Sequence, residues 1–253
     1  FDVHFCAQTG ALTSCIDHSG QEWAANGPLA MFLYQSFDAE DFELFLQRYN
    51  PNLEDTESWA RPDFTKPGLQ HIEGLTRRHL HPTDARFERH GNDVWVEAVM
   101  PCPQETCYGA PRCVQLHYRF SADHIEIELQ WFDKLPCRLP EASWIGFGLC
   151  AESDWLMMKM GSPVSPLDVA VRGNRALHAL DSGLVYQDTD AGLQLQSFDA
   201  PLLSPGRPRI LKFEPTLPQL AEGWHVNLHN NLWGTNFPMW FGEDMKFRFA
   251  LSR

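Results

Sequence analysis

At 253 residues, 43% hydrophobic and 21% charged, with 17 phenylalanines and 9 tryptophans, the chain has the composition of a folded protein with ample core material, which excludes a disordered one. A formal charge of −13 argues against nucleic acid as a partner, because binding a phosphate backbone requires Lys and Arg to displace its counterions. No run approaches ~18 apolar residues and the first residues lack the basic-then-apolar pattern of a signal peptide, so neither a membrane span nor a targeting segment is expected.

The chain opens as a β meander. Phe1 to Phe5 alternates, Thr9-Gly10 turns, Ala11 to Ile16 alternates again, and Asp17-His18-Ser19-Gly20 turns before Gln21 to Trp23. Met31 to Tyr34 reads as a short apolar strand. Asp38 then has the character of a helix N-cap, with Glu40 and Asp41 in the first turn and Phe42, Phe45, Leu46 and Tyr49 on one face, and the helix ends by Pro51.

From Asn52 to Thr83 the sequence is polar, proline-bearing and weakly periodic, a long and partly ordered excursion. His79 and His81 within it have the one-apart spacing of metal ligands on a strand, set against the plainer reading of two satisfied imidazoles. Strands resume at Ala85 to Arg89, Asp93 to Met100, Cys113 to Phe120 and His124 to Phe132, each bounded by turn signals. Lys134 to Ala142 interrupts them: Pro136 and Pro140 stiffen a segment carrying Lys134, Arg138 and Glu141, whose charges either pair with one another or face a ligand. Further strands are expected at Trp144 to Leu149, Trp155 to Met160, Tyr186 to Thr189, Leu193 to Ser197 and Arg209 to Phe213.

The stretch Trp224 to Phe249 organises the rest. Trp224, Val226 and Leu228 point one way and His225, Asn227 and His229 the other; Phe247 and Phe249 later alternate with Lys246 and Arg248. The pattern predicts a hairpin with a wide loop. That loop holds Trp233, Phe237, Trp240 and Phe241 among amides, too apolar for a solvated connector. Amides and imidazoles beside flat apolar rings suit a sugar, whose hydroxyls need donors and acceptors and whose C–H faces stack on rings; the alternative is a buried loop whose amides cap its own backbone.

Short strands against one convincing helix predict an all-β fold, a large antiparallel β-sandwich with one or two short helices, spanning residues 1–253 as one domain. The seven cysteines lack the CxxC spacing of structural zinc, and their odd number leans towards a reducing, cytoplasmic setting with ordinary thiols or one local disulfide among Cys102, Cys107 and Cys113. No GxSxG, HExxH, P-loop or GxGxxG pattern occurs. No metal and no cofactor is expected. Acid–base chemistry on a sugar would need a His and a carboxylate, or two carboxylates, held a few ångströms apart, and the catalytic candidates are His178, His225, Glu141 and Glu243.

Gly10 to Glu22, with its glycine, hydrophobic pair, aspartate turn and second glycine, resembles the start of the C-terminal β-sandwich of family 38 glycoside hydrolases, the α-mannosidases. Phe64-Thr65-Lys66-Pro67-Gly68, Arg138-Leu139-Pro140-Glu141-Ala142, Gly173 to His178, Ser197 to Leu202 and the Asn227 to Asp244 run together resemble an uncharacterised mannosidase-like glycosidase family, over nearly the whole chain. The resemblance implies a galactose-mutarotase-like supersandwich, normally the C-terminal part of a longer glycosidase. In family 38 the metal site and the carboxylate nucleophile belong to a preceding α/β domain that this chain lacks, so none of its residues inherits those roles.

Three functions follow as expectations. One is a carbohydrate-binding module in which His225, Asn227, His229, Asn231, Trp233 and Asn236 line a concave face helped by Arg138, Glu141, Asn174 and His178, with carbohydrate and a missing catalytic domain as partners and no membrane. The second is a stand-alone mutarotase or epimerase pairing His178 or His225 with Glu141 or Glu243. The third is a purely structural accessory domain.

Overall fold

The period-two alternation is realised as two antiparallel sheets packed face to face in the computed structural model, which describes residues 1–64, 66, 68–101, 108–149, 154–186, 192–234 and 238–253. The first part of the chain forms β1 (Asp2–Phe5), β2 (Leu12–Ile16), β3 (Leu29–Ser36), helix α1 (Ala39–Tyr49), three short 3-10 turns and β4 (Arg78–Leu80). The middle forms β5 (Asp84–His90), β6 (Asp93–Val99), β7 (Cys113–Phe120), β8 (His124–Trp131) and β9 (Glu141–Phe147). The remainder forms β10 (Trp155–Lys159), β11 (Ser162–Val164), β12 (His178–Ala179), β13 (Gly183–Tyr186), β14 (Gln194–Ser197), β15 (Leu202–Pro205), β16 (Trp224–Asn230) and β17 (Met245–Ser252). Among the described residues one sheet runs β1-β2-β3-β9-β16-β15-β12, with β4 paired to β3, and the other runs β11-β10-β13-β14-β17-β8-β7-β6-β5.

The core lies between the sheets. Phe32, Tyr34, Ile145, Phe147, Trp224 and Val226 from the first meet Leu116, Tyr118, Ile127, Leu129, Trp131, Phe247 and Phe249 from the second. β8 shows the rule most simply: Ile125, Ile127, Leu129 and Trp131 are buried, while Glu126 faces out. β9 departs from it, being buried at all seven positions. The reason is a second apolar layer on the outer side of the first sheet, where Leu33, Ala142 and Trp144 are roofed by Phe37, Phe42, Leu69 and Leu232.

Helix α1 provides part of that roof. Asp38 accepts from the Asp41 amide at 3.1 Å while Asp41 accepts from the Asp38 amide at 3.0 Å, a reciprocal cap. Phe42, Phe45 and Leu46 are buried as the spacing predicts, but Tyr49 is 54% exposed. Arg77 locks the helix start to the end of the excursion through Asp38, Glu40 and Asp41.

Two expectations are corrected. The stretch from Trp224 to Phe249 is not a hairpin: β16 pairs with β9 and β15 in one sheet, β17 with β14 and β8 in the other. Both strands bury aromatic side chains in the same core, and the segment between them crosses the ~10 Å from one sheet to the other, a task for which a tight turn is too short. No strand forms over 209–213; Ile210 and Leu211 pack against the outer apolar layer instead. Of the strand expected over 186–189, Tyr186 ends β13 (Gly183–Tyr186), and 187–191 lie outside the described residues.

His79 and His81 are satisfied imidazoles. Trp144 donates to Gln35 Oε1 at 3.1 Å, which turns the Gln35 amide nitrogen towards His79 Nε2 at 3.0 Å, and His81 Nδ1 donates to the Phe32 carbonyl at 2.8 Å. Among the described residues no group of three metal-ligating side chains converges. Cys6, Cys15, Cys113 and Cys137 are free thiols, and burial pushes Cys15 up to about 12; Cys102 and Cys107 lie outside the described residues. No described helix is long and apolar enough to cross a membrane.

Candidate functional site

At the start of β9 the Glu141 side chain is wholly buried, and both oxygens are engaged. Lys134 Nζ, equally buried, donates to Oε1 at 2.6 Å, and Tyr34 donates its hydroxyl to Oε2 at 2.7 Å. Burial pushes the Glu141 carboxyl up against the pull of the Lys134 charge, and drives the Tyr34 hydroxyl well above its ordinary value. Tyr34 in turn accepts from the Gly109 amide at 3.1 Å. Glycine is required there, since a Cβ would sit 2.2 Å from Glu141 Oε2.

This buried cluster anchors the crossover after β16. Lys134 Nζ also donates to the Phe241 carbonyl at 3.1 Å, and Asn231 accepts from the Glu141 amide at 2.8 Å. The Asn231 amide nitrogen donates to the carbonyls of Cys137 (2.8 Å), Leu139 (2.9 Å) and Met239 (3.2 Å). Lys66 reaches the same Met239 carbonyl at 3.2 Å, and burial brings its ammonium down to about 8. The irregular segment 134–140 and the described residues of 231–241 are therefore stapled into one body. The three charges on the proline-stiffened segment divide: Lys134 and Glu141 pair with each other, and Arg138 faces outward onto a ring.

Over this body lies a pocket of about 270 Å³ lined by His229, Asn230, Asn231, Trp233, Pro238, Trp240 and Phe241. Trp233 is 50% and Trp240 48% exposed, unusual for rings of their size, and the Arg138 guanidinium stands 4.8 Å over the Trp240 ring. The His229 ring lies 5.3 Å from that of Phe241. Burial, helped by the Lys134 charge, brings His229 down to about 3, so the imidazole is neutral near pH 7. Its Nδ1 is buried with no hydrogen-bond partner among the described residues.

Of the expected site residues, His229, Asn231, Trp233 and Arg138 thus come together, with Glu141 beneath them. The others stand elsewhere. His225 lies over Gly146, donates from Nδ1 to the Gly206 carbonyl at 2.6 Å, and is brought down to about 4 by burial. Asn227 bridges the bulge in β16 by donating to the Ser143 and His229 carbonyls and accepting from Asn230 at 2.9 Å. Asn174 accepts from the Ala176 and Glu214 amides. His178 is buried opposite Leu203 and brought down to about 4 by burial, with the Lys159 charge adding to it. Glu243 is exposed and offers its carbonyl to Trp131. Asn236 lies outside the described residues.

Sequence reasoning missed Tyr34 and Gly109, which reach the cluster from distant segments and carry no local signal, while Lys66 stood in a motif of the resemblance with no role given to it. Trp240 and Phe241 had one: the aromatic density of the crossover.

The profile of a family described as Domain of unknown function (DUF5054) matches residues 1–128. No curated protein matches the chain. Among solved structures, an α-mannosidase from Enterococcus faecalis V583 is similar over 99% of this chain and 28% of that one, at 7% identity and a TM-score of 0.56. A protein in glycosyl hydrolase family 38 from Enterococcus faecalis gives 99% and 29%, 8% identity and 0.54. A galactose mutarotase-like protein from Lactobacillus casei ATCC 334 gives 99% and 96%, 11% identity and 0.50. The chain spans less than a third of the two family 38 structures, and identities this low establish the shared two-sheet fold and nothing finer.

Proposed function

The chain belongs to the DUF5054 family, a domain of unknown function, and from that premise we propose that it is a carbohydrate-binding β-sandwich domain of a larger glycosidase-like protein. Its sugar ring would sit in the pocket over His229, Trp233 and Trp240. One observation carries the reading: two half-exposed indoles flank a neutral imidazole and an arginine, all mounted on a buried ion pair and an asparagine clamp. Indole faces meet sugar C–H groups, while Arg138 and His229 meet hydroxyls. Arg138 already covers one face of Trp240, which leaves Trp233 as the principal platform. The clamp fixes these groups before a ligand arrives, lowering the ordering cost of binding. The fold shared with family 38 enzymes, over a fraction of their length, supports the role of a domain beside a catalytic partner.

Calorimetric titration of the chain with neutral hexoses and their disaccharides tests this. Binding that Trp233→Ala weakens at least tenfold, with thermal stability unchanged, is the expected result; no heat with any sugar, or binding indifferent to Trp233 and Trp240, refutes it.

A second reading, a mutarotase or epimerase acting alone, is favoured by the match to a mutarotase-like protein along 96% of that protein's length. It requires a histidine and a carboxylate free to face one cavity. Glu141 gives both oxygens to Lys134 and Tyr34, and Glu243 is not a wall of the pocket, which weighs against it. Polarimetry on freshly dissolved aldoses decides: acceleration over buffer revives this reading.

A further inference from the structure

The outer face of the second sheet carries a hollow of about 700 Å³, which shares no lining residue with the crossover pocket and is larger than it. Its floor follows from the register: Glu126 on β8 lies opposite Ala250 on β17, and Ala250 opposite Gln196 on β14, so the smallest side chain of the row sits between longer ones. Aromatic groups stand at its sides. Trp95 and His117, directly opposite on β6 and β7, stack at 3.7 Å with planes 2° apart; His117 is pinned by Asp93 at 2.6 Å, and Trp95 remains 42% exposed. On the other side Phe198 is 56% exposed, with the Arg248 guanidinium 6.0 Å from its ring.

Most charges nearby already have a counter-charge. Arg119 holds Asp93 at 3.0 Å and Glu126 at 3.2 Å, Arg248 forks Asp199 at 3.0 and 2.8 Å, and Glu128 holds Lys246 at 2.6 Å. Asp123, which also lines the hollow, has only the His124 ring at 3.4 Å, so carboxylates outnumber cations there; an anionic ligand would be repelled and would have to break pairs to form its own. A neutral polyhydroxyl ligand would find fixed donors and acceptors between two apolar walls. We propose that this hollow is a second saccharide site, taking a neutral oligosaccharide of two or more rings on the outer face of the second sheet. It goes beyond the function proposed above and does not depend on it.

The test titrates the full chain with neutral manno- and malto-oligosaccharides of two to four rings, and with dextran sulfate as the charged counterpart. Phe198→Ala removes one wall and Ala250→Arg fills the floor; Trp233→Ala and Trp240→Ala report on the other pocket. The expected result is oligosaccharide binding weakened at least tenfold by Phe198→Ala and abolished by Ala250→Arg, with the two tryptophan variants binding as the parent does. Phe198 is exposed, so its variant keeps the test valid should Ala250→Arg misfold. Four outcomes overturn the proposal: no neutral oligosaccharide binds, dextran sulfate binds in preference, binding survives Phe198→Ala, or it is lost only in the tryptophan variants.

Discussion

Replacing Glu141 by Gln removes one charge of a pair whose two side chains have no solvent exposure, while keeping the shape and the acceptor for Tyr34. Lys134 is then left with carbonyl acceptors alone, those of Leu135 at 3.4 Å and Phe241 at 3.1 Å. Breaking a buried pair from one side costs about 3–5 kcal/mol, because the surviving charge stays desolvated. In a chain of this size that lowers the melting temperature by roughly 6–20 °C. Removing both charges, as in Lys134→Met with Glu141→Gln, leaves no orphaned ion, so the double variant should recover at least half of the loss. Urea unfolding followed by tryptophan fluorescence measures both. A single variant within about 1 kcal/mol of the parent, or a double variant carrying the summed loss of the two singles, would refute the idea that this pair holds the crossover segment in place.

Acid should destabilise the fold through its buried histidines. His178 and His225 are held at about 4 and His229 at about 3 in the folded chain, below the 6.5 of the unfolded one, so the stability they contribute is full above pH 6.5 and is lost as pH falls towards those values. Between pH 7 and 5 the loss is about 2 kcal/mol for each, and urea midpoints unchanged over that interval would contradict the assignment. Gly109→Ala should cost about 2 kcal/mol or more, since its Cβ must displace Glu141 Oε2 or the Cys137 Cβ at 2.5 Å; a melting temperature equal to the parent's would show that the cluster yields freely.

Much of the fold is legible in the sequence because it is a matter of local period. The alternation of Ile125, Ile127, Leu129 and Trp131, and the Asp38 cap followed by Phe42, Phe45 and Leu46, can be read without a partner strand or sheet in view. Pairing is not local. Trp224, Val226 and Leu228 show correctly which face of β16 is apolar, yet nothing in them says that β9 and β15 take both its edges and send β17 to the other sheet. The candidate site divides the same way. His229, Asn231 and Trp233 share one stretch and could be grouped by eye, whereas Tyr34 lies 107 residues from the carboxylate it serves. Asn231 illustrates a further limit: the amide that reads as a sugar ligand spends its nitrogen on three carbonyls and its oxygen on a backbone amide, so it builds the pocket wall from within.

The proposed role depends on whether the pocket over His229 takes a sugar ring. The 9 tryptophans each give an indole N–H signal in a nitrogen-resolved NMR spectrum, and saturating neutral monosaccharide should move those of Trp233 and Trp240 while the buried Trp144, Trp155 and Trp224 stay still. Signals of Trp233 and Trp240 that remain in place throughout a titration across the neutral hexoses would contradict it.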